Sequence, residues 1–182
     1  MSQTHFSSSL YDFCQLNLDN HPLELARFLQ QFGQRAKAEW ENTIALLKDK
    51  LSELPHLSGS IILNAPPPSD NLHSEAVILY RGLIFVLKIA QNSESYAEEA
   101  LTEVYDQARA YKEHHPASSD KFIIPVLLAT AASPQGGAIN VSEDLVANTM
   151  CDNGAHLAGL IEHFANQYRA DEIAMSEWLT QI

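Results

Sequence analysis

Glu75-Ala76-Val77-Ile78-Leu79-Tyr80-Arg81-Gly82-Leu83-Ile84-Phe85-Val86-Leu87-Lys88-Ile89-Ala90 is the stretch from which the fold is read. Two runs rich in Val, Ile and Leu are parted by a two-residue Arg-Gly step, which predicts two strands joined in a tight hairpin. The runs are almost continuously apolar rather than alternating. That pattern predicts a sheet covered on both faces by other elements.

Upstream of the hairpin, Ser60 to Ala65 predicts a third strand that runs into the Pro66 to Asn71 loop, where three prolines prevent further pairing. Before it, Trp40, Ile44, Leu47, Leu51 and Leu54 recur at helical spacing from about Arg35 to Leu54, with Lys37, Glu41, Lys48 and Asp49 off the stripe. Leu10 to Asn17 predicts a short helix. Asn20 and Pro22 then start a second helix with Leu25, Phe28, Leu29 and Phe32 on one face, which Gly33 ends.

Downstream, Ser93 or Ser95 is expected to cap a helix that turns Ala97, Leu101, Val104, Ala108 and Tyr111 inward and runs to His114 before Pro116. Phe122 to Thr130 predicts a buried strand of the parallel type, and Ala138 to Val141 a short edge strand after the Ser133 to Gly137 turn. Asp152 or Asn153 is expected to cap a helix bearing Leu157, Ile161, Phe164 and Tyr168, and a last helix around Glu172 to Gln181 packs through Ile173 and Trp178. The fold class is therefore α/β, a mixed central sheet with helices on both faces and extra N- and C-terminal helices. The 182 residues suit one domain, with an N-terminal helical segment over 1–34, a core over 35–169 and a C-terminal helix over 170–182.

Composition narrows the function classes. Apolar residues make up 46% and charged residues 19%, which belongs to a packed globular chain. The N-terminus has no basic and apolar leader pattern and the longest apolar run, Ile123 to Ala132, is too short to span a bilayer, so a cytoplasmic protein with no membrane contact is expected. Cys14 and Cys151 form no disulfide framework and no Cys-x-x-Cys pair for zinc, and read as buried thiols. With 23 acidic against 11 basic side chains, formal charge −12, autonomous nucleic-acid binding is not expected, because phosphate affinity comes from clustered Lys and Arg. The acidic excess fits an ordinary solubilising surface or a face that meets a basic partner.

The order of helix, three-stranded meander, crossover helix and strand is the αβββαβ core of restriction-endonuclease-like nucleases. Residues 10–168 resemble the nuclease-like domain at the N-terminus of some bacterial helicase-fusion proteins of unknown function. The stretches that carry the resemblance are Ser9-Leu10-Tyr11-Asp12-Phe13, the Trp40 helix, Glu75 to Leu79, Leu83 to Lys88 and Phe122 to Leu127. In that superfamily an Asp on the second strand and a Glu-x-Lys on the third hold a divalent metal that activates water, both groups on one side of the sheet. By flanking apolar residues, the Asp position falls on Ala76, the Glu position on Lys88 and the Lys position on Ala90, so all three are replaced.

An ammonium in place of a metal-holding carboxylate turns attraction into repulsion; at an effective dielectric of about 20, unit charges about 4 Å apart interact by about 4 kcal/mol. Neither a cofactor nor a metal is therefore expected, and Lys88 reads either as a lysine with its stem in the sheet and its tip on solvent or a carboxylate, or as the centre of a cationic relic pocket. Gln107 and Tyr111 match a Gln and a Tyr that face the site in the family. On these grounds Ala76, Lys88, Ala90, Gln107 and Tyr111 are the candidate binding residues, with no catalytic residue assigned. Glu75 is expected on the opposite face, while Glu98, Glu99, Glu103 or Asp106 on the following helix are acids that some nucleases of this type would use.

Other patterns carry less. His114-His115 sits at a helix end where imidazoles complement the dipole, and His156 with His163 has no second ligand pair. Cys151 to His156 lacks zinc spacing, Gly136-Gly137 lacks the lysine of a phosphate loop, and no nucleophile elbow occurs. The resemblance implies a pseudo-nuclease working through a protein partner in a DNA-processing or phage-defence complex; the relatives fuse this domain to a helicase, so a separately encoded partner is expected, and a homodimer is compatible. Two alternatives are a metal-dependent DNA nuclease with relocated carboxylates, and an acidic inhibitor or DNA mimic that uses the Pro66 to Asn71 loop and the Ser133 to Gly137 turn as contacts.

Overall fold

A computed structural model describes residues 4–68, 73–135 and 138–181. Its elements in chain order are β1 (Phe6–Ser9), α1 (Leu10–Cys14), α2 (Leu23–Gln30), α3 (Gln34–Leu51), β2 (Ser60–Ala65), β3 (Ser74–Tyr80), β4 (Leu83–Ala90), α4 (Glu98–His114), a 3-10 turn (Pro116–Ser118), β5 (Phe122–Ala129), β6 (Met150–Asp152), α5 (Leu157–Tyr168) and α6 (Met175–Thr180). The six strands form one open sheet in the order β1-β2-β3-β4-β5-β6. The first four are antiparallel neighbours, and β5 and β6 continue in parallel with β4. This is the expected mixed α/β sheet.

The continuous apolar strands are explained by what covers them. Ile78, Phe85 and Leu87 on one face pack with residues of α1, α2, α3 and α5, while Val77, Ile84 and Val86 on the other pack with α4 and with Trp178 of α6. Helices thus lie on both faces. At the hairpin, Arg81 (φ 51°) and Gly82 (φ 81°) both adopt left-handed conformations, the requirement of a two-residue turn whose twist matches its strands. The Arg81 carbonyl accepts from Ala170 N–H at 2.8 Å, and a Cβ on Gly82 would stand 2.6 Å from the Ala170 carbonyl carbon. Gly82→Ala is therefore expected to destabilise the fold by about 1–3 kcal/mol, read as a drop in the urea midpoint.

Several expectations are corrected. The 1–34 segment is not purely helical, since Phe6–Ser9 pairs with β2; three serines after one phenylalanine show no strand period, and the pairing comes from the edge that β2 offers. No strand forms over Ala138 to Val141. There, Val141 makes only a bridge to Ala147, because Asn148 holds the segment back on itself through Ala138 and Asn140, and β6 takes the edge position instead. Ser93 and Ser95 do not cap α4, whose N-cap is Ala97; the Ser93 hydroxyl donates to the Ser95 carbonyl at 2.8 Å. Neither Asp152 nor Asn153 is the N-cap of α5, which is His156, although Asp152 accepts from the Gly154 and His156 N–H groups just ahead of the helix. The Gly136-Gly137 pair and Ser69 to Asn71 lie outside the described residues. Among the described residues, no helix is long and apolar enough to cross a membrane.

Helix α4 is pinned to the sheet at two levels. Its C-terminal end is fixed by Lys112, whose ammonium donates to the carbonyls of Ser119, at 3.2 Å, and Lys121. One residue earlier, the Tyr111 hydroxyl donates to the Pro66 carbonyl at 2.9 Å. Together with Val104 and Ala108 on the sheet, these contacts set which α4 side chains reach β4.

Candidate functional site

Lys88 stands near the carboxyl end of β4 with its ammonium between two carboxylates. Glu75 on β3 lies at 3.6 Å and Glu103 on α4 at 2.5 Å. The pairing follows from the hairpin: the two-residue turn sets Tyr80 opposite Leu83, the register runs to Ala76 opposite Leu87, and one step further puts Glu75 opposite Lys88. Residues opposite one another on antiparallel strands share a face. The expectation that Glu75 points away is therefore wrong; that position shares the face of Lys88, and Ala76 does not.

The remaining candidates divide accordingly. Ala76 is buried on the α3 side, among the residues that include Ile78 and Leu87, and does not join the others. Ala90, two residues beyond Lys88, packs on the α4 side. On α4, Glu103, Gln107 and Tyr111 follow one another at four-residue steps, so they form one row along the face turned to the sheet. The Gln107 carboxamide reaches the His73 carbonyl at 3.5 Å, and the Tyr111 ring is buried against Trp178. Lys88 itself meets Glu75 and Glu103; Ala90 and Tyr111 belong to the core on the α4 side, and Gln107 lies one turn along α4 from Glu103; of the other acids weighed on α4, none makes an ion pair with Lys88 among the described residues.

The electrostatics of the three charges are set by partial burial. Burial pushes the Glu75 carboxyl up, against the opposing pull of Lys88 and of the Ile89 N–H that Glu75 accepts at 3.1 Å. Burial pulls the Lys88 ammonium down, but its hydrogen bond to Glu103 and its attraction to Glu75 and Glu103 outweigh this and raise it. The lysine is charged at neutral pH and faces both carboxylates. Its stem lies in the sheet and its tip on carboxylates.

A divalent cation needs several oxygens converging on one point. Here the two carboxylates converge on an ammonium, and among the described residues no group of three His, Cys, Asp or Glu side chains could hold a metal ion. The donor set does not fit the metal that the resemblance implies.

On the α3 side of the same sheet end, Glu75 also lines a cleft of about 330 Å³ together with Glu39, Trp40, Thr43, Ile89 and Gln91. Reading single residues put Glu75 on the wrong face and missed this cleft. The signal for the first was present in the hairpin count; the second arises only when α3 is laid across the sheet. Comparison with protein-family models, curated proteins and solved structures finds no match for this chain.

Proposed function

We propose that the chain is a non-cleaving domain of restriction-endonuclease-like type that acts by binding a protein partner, in a DNA-processing or phage-defence setting. The observation that supports this reading is the ammonium of Lys88 held between Glu75 and Glu103, which occupies the point on which their two carboxylates converge. The run of elements α3-β2-β3-β4-α4-β5 is compatible with the αβββαβ core. The chain's negative charge and the carboxylates of Glu39 and Glu75 beside the site also disfavour an approaching phosphate backbone.

A second reading keeps the enzyme, because Glu75 and Glu103 do meet on one face and a swing of Lys88 would free both. Incubation of the protein with plasmid and single-stranded DNA in Mg²⁺ or Mn²⁺ separates the two. The expected result is no cleavage above that of Glu75→Ala and Glu103→Ala; cleavage by the native chain that both substitutions abolish would establish the nuclease instead. A helicase, ATPase or defence gene adjacent in the genome would support the partner reading.

A further inference from the structure

We propose that the cleft between α3 and the end of β4 is a receptor for a basic side chain, arginine or lysine, of a protein partner. This rests on the partner-binding reading above and names the chemistry of the contact. The cleft is built along one face of α3, where Glu39, Trp40 and Thr43 lie at the spacing of adjacent turns, and it is closed by Glu75, Ile89 and Gln91. None of these lining residues is cationic.

Three features select the ligand. The first is a fixed aromatic wall: Phe32 stacks on the Trp40 ring with centroids 5.6 Å apart and Phe28 meets it edge-on at 5.2 Å, so the indole is held in place beside the cleft. Indole is the best of the aromatic faces for a cation. The second is the orientation of Gln91. Its amide nitrogen donates to the Glu39 carbonyl at 2.7 Å and to the Thr43 hydroxyl at 2.6 Å, which uses both its hydrogens and leaves its oxygen to accept.

The third feature is uncompensated negative charge. Among the described residues Glu39 pairs with Arg35 alone, at 3.6 Å, and with the guanidinium side chain 95% exposed this is a pair of little strength that an incoming cation can replace. At the rim of the cleft, Glu75 directs its carboxylate to Lys88, which it shares with Glu103, so this end of the sheet keeps a net negative charge that acts on the cleft at longer range. Acceptors, negative charge and an aromatic wall together match a guanidinium or ammonium and reject a phosphate or carboxylate. A basic residue on a partner also complements a chain with formal charge −12.

The test is a nuclear magnetic resonance titration of the full chain with N-acetyl-arginine amide, with its uncharged citrulline analogue, and with spermidine. The arginine probe is expected to shift the Trp40 indole and Gln91 side-chain signals saturably, with the citrulline probe and the Glu39→Gln variant each about tenfold weaker or more. Glu172→Gln, an exposed acid away from the cleft, serves as the control and should leave binding unchanged. Equal binding of citrulline, or no loss in Glu39→Gln, would overturn the receptor. Tighter binding of spermidine than of the arginine probe would overturn the protein source of the cation. The DNA-cleavage assay reports separately on the non-cleaving reading, so the two can fail independently.

Discussion

Replacement of Trp178 by alanine is expected to lower the stability of the chain by about 3–5 kcal/mol, the range for removing a large buried aromatic side chain. Trp178 lies on a helix of only 6 residues, Met175–Thr180, yet it is fully buried against Tyr111 and His115. Its indole N–H donates to the Ser118 hydroxyl at 2.9 Å, and its carbonyl accepts from His115 Nε2 at 2.8 Å. Since a carbonyl can only accept, His115 carries its proton on Nε2, and Nδ1 accepts from Ser118 at 2.6 Å. The indole is thus the anchor of a closed hydrogen-bonded triangle. Urea unfolding read by circular dichroism measures the loss; a change below about 1 kcal/mol would mean that α6 is not docked in solution.

The same triangle gives a pH dependence with a definite sign. Burial holds the His115 imidazole below its ordinary value, against the raising effect of the Trp178 carbonyl. A base depressed in the folded state contributes stability that is fully present above the unfolded pKa of 6.5 and is lost as pH falls through the folded value. Acid should therefore loosen α6 in the range below about pH 6.5. His115→Gln should flatten that part of the profile.

Lys88→Met is expected to cost about 1–3 kcal/mol, less than the loss for breaking a fully buried pair because the side chains remain 26% and 33% exposed. It leaves Glu75 and Glu103 facing one another without a cation. Glu75→Gln should cost less, since Lys88 keeps Glu103 and the burial that raises the Glu75 carboxyl no longer opposes folding. The native chain should also lose stability in alkali: a lysine raised in the folded state stabilises fully below its unfolded pKa of 10.5, and that contribution disappears as pH rises through the folded value. Stability measured from about pH 7 to about pH 12 should show this loss in the native chain and not in Lys88→Met. Equal costs for the two substitutions would show that Lys88 does not serve both carboxylates.

The central strands and the long helices were legible because each carries a period or an unbroken apolar run over many residues, as Leu83 to Ala90 and Gln34 to Leu51 show. The edges were not. Phe6–Ser9 and Met150–Asp152 are four and three residues long, and their strand conformation is imposed by neighbours whose backbone groups need partners. The charged cluster was half legible: the apolar pattern marks Lys88 as the one charge set in a buried strand, but Glu75 was expected on the opposite face. Counting outward from the Arg81-Gly82 turn gives Glu75 directly. The cleft beside Trp40 depends on the angle at which α3 crosses the sheet, which no local pattern encodes.

The division of the sheet into an antiparallel half and a parallel half bears on how the chain reaches this structure. Strands β2, β3 and β4 are linked by short connections, whereas β5 must wait for a crossover helix and β6 for the twenty residues between Ala129 and Met150. Closing a short loop restricts the chain less than closing a long one, so the meander should assemble early and the last strand late. Pulse-labelled amide exchange during refolding should protect Phe85 and Leu87, whose N–H groups face β3, before Asp152, whose N–H faces β5, and the rim of the sheet nearest β6 would be the part still open to other chains in the meantime.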